Sequence, residues 1–326
     1  MLDLASQRYV VTGGAGFLGR VVCEKLRQRG VAPEQIFVPR RRDFDLTREG
    51  EVIRLYDTIK PTVVIHLAAE VGGIGANRLH PGRFFFANMA MGMHLIEQAR
   101  ERGLTKFVHT GTVCAYPKFA PVPFNEDDLW NGYPEETNAP YGVAKKALFV
   151  MLDAYRREYG LDSTVVVPVN LYGPYDNFDL ESSHVIPALI RKCEAARING
   201  DASMTCWGTG SASREFLYVD DAAEGILRAT EVMDDPTPIN LGTGREITIK
   251  ALVELIAKLT GFTGKIEWDS TKPDGQPRRC LDTRKAKKLL DWQAQVGFEE
   301  GLRTTIDWWR EHGEAHERNR AGSATH

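Results

Sequence analysis

Tyr9-Val10-Val11-Thr12-Gly13-Gly14-Ala15-Gly16-Phe17-Leu18-Gly19 governs how the rest of the chain is read. Tyr9–Thr12 is a short apolar run of the kind that forms a strand buried on both faces. Glycines then recur at Gly13, Gly16 and Gly19, and an amphipathic pattern begins at Leu18. The spacing differs from G-x-G-x-x-G, but the physical requirement is the same. A turn without side chains lets backbone N–H groups approach a pyrophosphate at the positive end of a helix. Gly13, Gly16, Phe17, Leu18 and Gly19 are therefore the first candidate cofactor residues.

Outward from this turn, strand and helix patterns alternate. Helical patterns occupy Leu18–Arg29, Glu49–Thr58, Phe84–Arg102 and Gly142–Tyr159. Apolar strands are expected at Ile36–Val38, Val63–Leu67, Lys106–His109 and Ser163–Val169. Such alternation predicts an α/β fold, with a doubly wound parallel sheet of the Rossmann type covered by helices on both faces. After Asn170 the composition shifts toward glycine, proline and aromatic residues, as in Tyr172-Gly173-Pro174-Tyr175, with helices near Ile186–Ala196 and Ile249–Leu259. The expected division is a dinucleotide-binding unit over 1–170, to which 216–241 returns as strand-helix-strand. A smaller C-terminal α/β substrate-binding region follows over 171–312, then a polar, unstructured tail over 313–326.

Composition narrows the function classes. The 326 residues leave room for two units. A net charge of -3, with Arg40-Arg41-Arg42 as the main basic cluster, gives no surface for nucleic acid. Five cysteines, odd in number and without C-x-x-C, argue against a disulfide framework and a zinc site, so no metal is expected. Met1 to Arg8 is polar and leads straight into a strand. With no long apolar run either, the chain is expected in the cytoplasm, off the membrane.

The end of the second strand reads Val38-Pro39-Arg40-Arg41-Arg42, where an NAD enzyme usually carries an acidic residue for the ribose hydroxyls. Guanidinium groups suit a 2′-phosphate, which favours NADP(H) without deciding among the three arginines. Asp45 and Leu46 are expected near the adenine. Leu67, Ala68 and Ala69 end the next ligand-facing strand, where small residues permit close approach.

Tyr141-Gly142-Val143-Ala144-Lys145 places a phenol and an amine one helical turn apart, on one face. A nearby ammonium is expected to favour the phenolate, so that the tyrosine exchanges a proton with a substrate oxygen. Thr112, just after the strand Lys106–His109, offers a hydroxyl to the same oxygen.

These features resemble the extended short-chain dehydrogenase/reductase superfamily. More closely, the chain is similar to the GDP-L-fucose synthase family, the GDP-4-keto-6-deoxy-D-mannose epimerase/reductases. That resemblance spans about Tyr9 to Trp309. It is carried by Val71-Gly72-Gly73-Ile74, Cys114-Ala115-Tyr116-Pro117-Lys118, Asn170-Leu171-Tyr172-Gly173-Pro174 and Ser183-His184-Val185-Ile186-Pro187-Ala188-Leu189. Arg214-Glu215-Phe216-Leu217 and Lys272-Pro273-Asp274-Gly275 continue it. It implies 3,5-epimerisation followed by C4 reduction of a nucleotide-diphosphate sugar, GDP-linked, in a homodimer. It also implies that Cys114 and His184 are the base and acid, with Thr112, Tyr141 and Lys145 at the reacting oxygen. Asn170, His184, Lys192, Trp207, Arg214 and Lys272 are implied on the substrate. Trp207 either stacks on a base or fills core. Arg278 and Arg279 are further anion-binding candidates or a solvated basic face. Thr112 stands where the family more often has serine, which narrows the pocket by a methyl group.

Overall fold

A computed structural model of the chain describes every residue except Glu181, Pro273 and 325–326. The strands are β1 (Tyr9–Thr12), β2 (Ile36–Phe37), β3 (Val63–His66), β4 (Lys106–Thr110), β5 (Ser163–Pro168), β6 (Asn170–Tyr172), β7 (Ser203–Trp207), β8 (Ser213–Tyr218), β9 (Ile239–Leu241), β10 (Glu246–Thr248) and β11 (Lys265–Asp269). The helices are α1 (Phe17–Gln28), α2 (Glu49–Ile59), α3 (Ile74–Leu79), α4 (Pro81–Glu101), α5 (Ala139–Tyr159), α6 (Val185–Asn199), α7 (Val219–Val232), α8 (Ile249–Thr260), α9 (Arg284–Leu290) and α10 (Phe298–Ala324).

The central sheet has the order β2-β1-β3-β4-β5-β9, and every pairing is parallel. Every residue of β1, β3, β4 and β5 is buried, as helices on both faces require, and this is why these strands read as continuous apolar runs. The order reverses at β1, so a ligand crevice is expected at the carboxyl ends of β1 and β3. α5 starts at Ala139, three residues before the expected Gly142, with Pro140 in its first turn. Proline is well tolerated there because the first N–H groups have no helical partner. Tyr141 thereby falls in the first turn of α5.

A second layer holds the sheet β10-β8-β6 and the parallel pair β11-β7 around its own core, which includes Phe178, Ile190, Phe216, Leu252, Ile256 and Leu302. The strand-helix-strand segment expected to return to the main sheet divides between the layers. β9 pairs with β5, and α7 lies against α1 with Lys25–Asp220 and Arg29–Glu231 ion pairs, each at 3.6 Å. β8 stays in the second layer, because it pairs with β6 and β10 and stacks Phe216 on Phe298 at 5.9 Å.

The unstructured tail expected from Gly313 is corrected. α10 runs through Gly313 to Ala324, while residues 325–326 lie outside the described residues. The rings that anchor this helix lie before Gly313, apart from His316, so the polar composition of the stretch gave no sign of them. Trp309 stacks on Phe178 at 4.4 Å, Trp308 meets Tyr175 at 4.9 Å, and His316 Nε2 donates to the Asp176 carbonyl at 3.1 Å. Among the described residues, no helix is long and apolar enough to cross a membrane.

Candidate active site

The glycine turn closes on the end of β3. Gly13 has φ 71°, in the left-handed region that favours glycine, and a Cβ there would come within 2.9 Å of Ala68 N. A Cβ on Gly19 would come within 2.1 Å of the Gly13 carbonyl. Ala68 N donates to Thr12 Oγ1 at 3.1 Å, which fixes Leu67–Ala69 beside the turn. Gly16 caps α1 in extended conformation, and the N–H groups of Phe17, Leu18 and Gly19 precede the helix's first internal bonds. A narrow cradle with free N–H donors at a positive helix end fits a dinucleotide pyrophosphate.

Arg40, Arg41 and Arg42 follow β2 and are all exposed. Arg41 is engaged with Glu70 at 2.9 Å, and Glu70 also holds Arg83 at 2.6 Å. Arg42 lies 3.6 Å from Asp43. Asp45 accepts from the Thr47 hydroxyl at 2.7 Å, and this bond holds its carboxyl below the ordinary range. Leu46 is buried in the main core.

The catalytic candidates converge at the end of β4. Thr112 caps a short 3-10 turn (Val113–Ala115), and its Oγ1 accepts from Cys114 N at 3.2 Å. α5 lies directly on this turn, because Gly142 has no Cβ; one would come within 2.3 Å of the Cys114 carbonyl. Tyr141 and Lys145 are both buried. Burial pushes the Tyr141 phenol above its ordinary value, against a weaker opposite pull from the Thr112 hydroxyl. The expected phenolate is thus corrected, because Lys145 is desolvated too. Its amine is brought down to about 7 and is a weak cation near neutral pH. This arrangement suits Tyr141 as a proton donor. Lys145 lies near His66 and His109, whose stacked rings are 5.6 Å apart and are kept neutral by burial and by the lysine charge.

All five cysteines are free, and Cys114 alone among them is not fully buried. Arg279 Nη1 lies 3.8 Å from Cys114 Sγ. His184 caps α6; its side chain reaches the surface, yet the protein around the ring desolvates it enough to lower its pKa. Its neighbour Ser183 meets the Val71–Ile74 segment, where a Cβ on Gly73 would lie 3.3 Å from the Ser183 carbonyl. Among the described residues, no hydrogen bond joins His184 to Cys114, Thr112 or Tyr141.

The substrate candidates form two groups. Lys192 and Lys272 lie over the exposed Trp207 ring at 5.8 Å and 5.6 Å, so Trp207 is a surface platform and not core. Arg214 donates to the Asp274 carbonyl at 3.3 Å, and burial, helped by Arg279, lowers its pKa to about 10. Asp274 in turn accepts from Thr209 N and Oγ1, both at 2.7 Å, and staples the Lys272–Gly275 turn to the end of β7. Asn170 Nδ2 donates to the Glu215 carbonyl at 3.0 Å.

Residues 9–242 match the model of the NAD dependent epimerase/dehydratase family. The chain belongs to this family. It is 40% identical over 304 residues to GDP-L-fucose synthase 1 of Arabidopsis thaliana, covering 93% of each chain. It is 36% identical over 317 residues to GDP-L-fucose synthase of Escherichia coli K12, covering 94% of this chain and 98% of the relative. A solved GDP-L-fucose synthetase from Naegleria fowleri bound to NADP superposes with a TM-score of 0.84 at 29% identity, covering 94% of each chain.

Within this epimerase/dehydratase site, sequence reasoning overlooked three residues. Gly14 admits Val38, whose Cγ2 lies 2.7 Å from where its Cβ would be. Its position inside the glycine run was the available signal. Glu70 holds two arginines across the cofactor side. Glu215, fully buried, accepts from Gly244 N at 2.7 Å and Leu281 N at 2.6 Å, tying β8 to the segment that carries Arg279. A lone Glu in a strand carries no sequence signal for that role. The structure also separates the two arginines left open: Arg278 is exposed and paired with Glu246, whereas Arg279 is buried toward Cys114.

Proposed function

We propose that this chain converts GDP-4-keto-6-deoxy-D-mannose to GDP-L-fucose by 3,5-epimerisation and NADPH-dependent 4-reduction. One observation carries the reading. A half-buried thiol, a hydroxyl and a buried phenol meet on one turn at the end of β4, in a parallel sheet whose glycine cradle suits a dinucleotide. The relatives named above support the sugar, and the arginines after β2 support the 2′-phosphate.

The C4 ketone acidifies the C–H bonds at C3 and C5. Cys114 as thiolate removes a proton, and His184 supplies one to the opposite face of the enolate. Thr112 and Tyr141 hydrogen-bond the C4 oxygen, first as enolate and later as alkoxide. Bound NADPH supplies the hydride for C4. Tyr141, held protonated by burial, delivers the proton to the resulting alkoxide. Arg214, Lys192 and Lys272 supply positive charge for the diphosphate, and Trp207 a face for the base. Buried free thiols suit a reducing compartment, the cytoplasm.

The test follows deuterium entry at C3 and C5 in D2O with NADP+ and no NADPH. The wild type takes up label at both carbons, and Cys114→Ser loses at least about a hundredfold of that rate. Tyr141→Phe binds NADPH normally and loses about a hundred- to ten-thousandfold in reduction. Absence of label in a wild type that still reduces the ketone would make the enzyme a C4 reductase alone.

A further inference from the structure

Arg279 is a buried guanidinium, 9% exposed, and no ion pair among the described residues gives it a carboxylate. An unpaired buried cation is strongly disfavoured, so such a group implies an anion at its head. Its setting leaves one direction open. Nε and Nη2 donate to Gln276 Oε1 at 3.3 Å and 2.9 Å, and Gln276 Nε2 is anchored on the Lys118 carbonyl at 2.9 Å. The Arg279 carbonyl accepts from Glu215 N at 3.2 Å, which fixes its backbone against β8. The remaining arm, Nη1, points at Cys114 Sγ from 3.8 Å. The neighbouring Arg278 is turned to the surface and neutralised by Glu246, whereas Arg214 of β8 and the Tyr141 phenol of α5 also face Cys114; Arg214 is held on the Asp274 carbonyl, and burial keeps Tyr141 neutral.

We infer that Arg279 is a positioning residue whose guanidinium is the counter-ion of the Cys114 thiolate, holding the base charged and aimed before substrate enters. A guanidinium in contact with a thiol favours the thiolate without taking its proton, because arginine stays charged throughout the working range. The Gln276 clamp keeps Nη1 in place while the thiolate takes up and releases protons. The inference rests on Cys114 being the epimerisation base, and it assigns the group that keeps that base ready.

Iodoacetamide reads the thiol without turnover. Being neutral, it is not itself drawn to the arginine. Cys114 is the accessible cysteine, and Cys114→Ser gives the background rate. In the full-length enzyme with NADP+ bound, Arg279→Gln should slow alkylation of Cys114 about tenfold at pH 7, from the loss of an adjacent opposite charge. The wild-type and variant rates should converge near about pH 10, above the ordinary thiol range, where a neighbouring cation no longer matters. Arg279→Lys, which keeps a charge but loses the fork, should lie between them. C3 and C5 deuterium exchange should fall in parallel, with KM for the GDP-sugar within about twofold. If Arg279→Gln does not fold, as judged by NADPH binding, Gln276→Leu makes the same comparison by releasing the guanidinium. Equal alkylation at pH 7 overturns the inference. So does a deficit that persists at pH 10, which would mean altered access, or a raised KM with unchanged exchange, which would assign Arg279 to the diphosphate. None of these touches the Cys114→Ser exchange test, so the two readings fail separately.

Discussion

A lysine buried without a carboxylate destabilises the fold for as long as it keeps its proton. Lys145, 2% exposed, is brought by burial from 10.5 to about 7. Between those values the unfolded chain binds the extra proton, so stability rises with pH across that window. Below about pH 7 both states are protonated and the full burial penalty stands. Lys145→Met should therefore be more stable than the wild type at pH 6, by on the order of 4 kcal/mol. That advantage should shrink toward zero near pH 10. Urea titrations of both proteins at the two pH values check this, and a gap independent of pH would refute it. The arginines after β2 act at the same scale. Arg41 must leave Glu70 to reach a 2′-phosphate, whereas among the described residues Arg40 has no ion pair and Arg42 has only Asp43 at 3.6 Å. NADPH should exceed NADH in kcat/KM by about ten- to a hundredfold. Arg40→Ala or Arg42→Ala should erode that ratio more than Arg41→Ala. Equal kcat/KM for the two cofactors in the wild type would remove the assignment.

The elements that could be read in advance are those with a simple burial pattern. β1, β3, β4 and β5 are covered on both faces, so their apolar runs give them away. β10 and β11 are half-exposed, and no run marks them. The Tyr141–Lys145 pair was legible because one helical turn separates its members. The Arg279–Cys114 contact was not, because the two lie 165 positions apart and only the docking of the Arg279 segment on β8 and on Lys118–Phe124 brings them together. The state of the Tyr141 phenol also needed the fold, since burial of both partners reverses the sign expected from the pair alone. α4 and α5 pack on each other, with Gly92 receiving Leu148, yet Phe85, Phe86, Met93, Val150 and Tyr159 remain exposed. We propose that these faces pair with those of a second copy in a homodimer. Phe86→Glu with Val150→Glu should weaken association at least about a hundredfold, since each carboxylate would be buried unpaired. Light scattering at micromolar concentration should report a dimer for the wild type and a monomer for the variant. A wild-type monomer would end the proposal.

At the scale of the whole molecule, two cores must stay in register for one site to work. The thiol and phenol stand on the central sheet, whereas His184 begins a helix of the second core. α10 is the element that steadies the second side. Trp308 and Trp309 cover Phe178, His316 holds the Asp176 carbonyl at 3.1 Å, and Glu317 lies 3.6 Å from Arg191 of α6. These contacts bracket the loop that delivers His184. Removing residues 313–326 leaves both tryptophans in place and takes away the polar ties, each worth about 1 kcal/mol or less at a partly exposed site. The truncated chain should bind NADPH as the full chain does, because the glycine cradle lies on the other core. Its melting temperature should fall by only a few degrees. Deuterium exchange should fall about three- to tenfold at C3 and C5 alike, because His184, the acid for both, is displaced while Cys114 is not. Alkylation of Cys114 by iodoacetamide should run at the same rate in the truncated and full chains. Slowed alkylation alongside the lost exchange would mean that the tail supports the fold as a whole and does not act through the His184 loop.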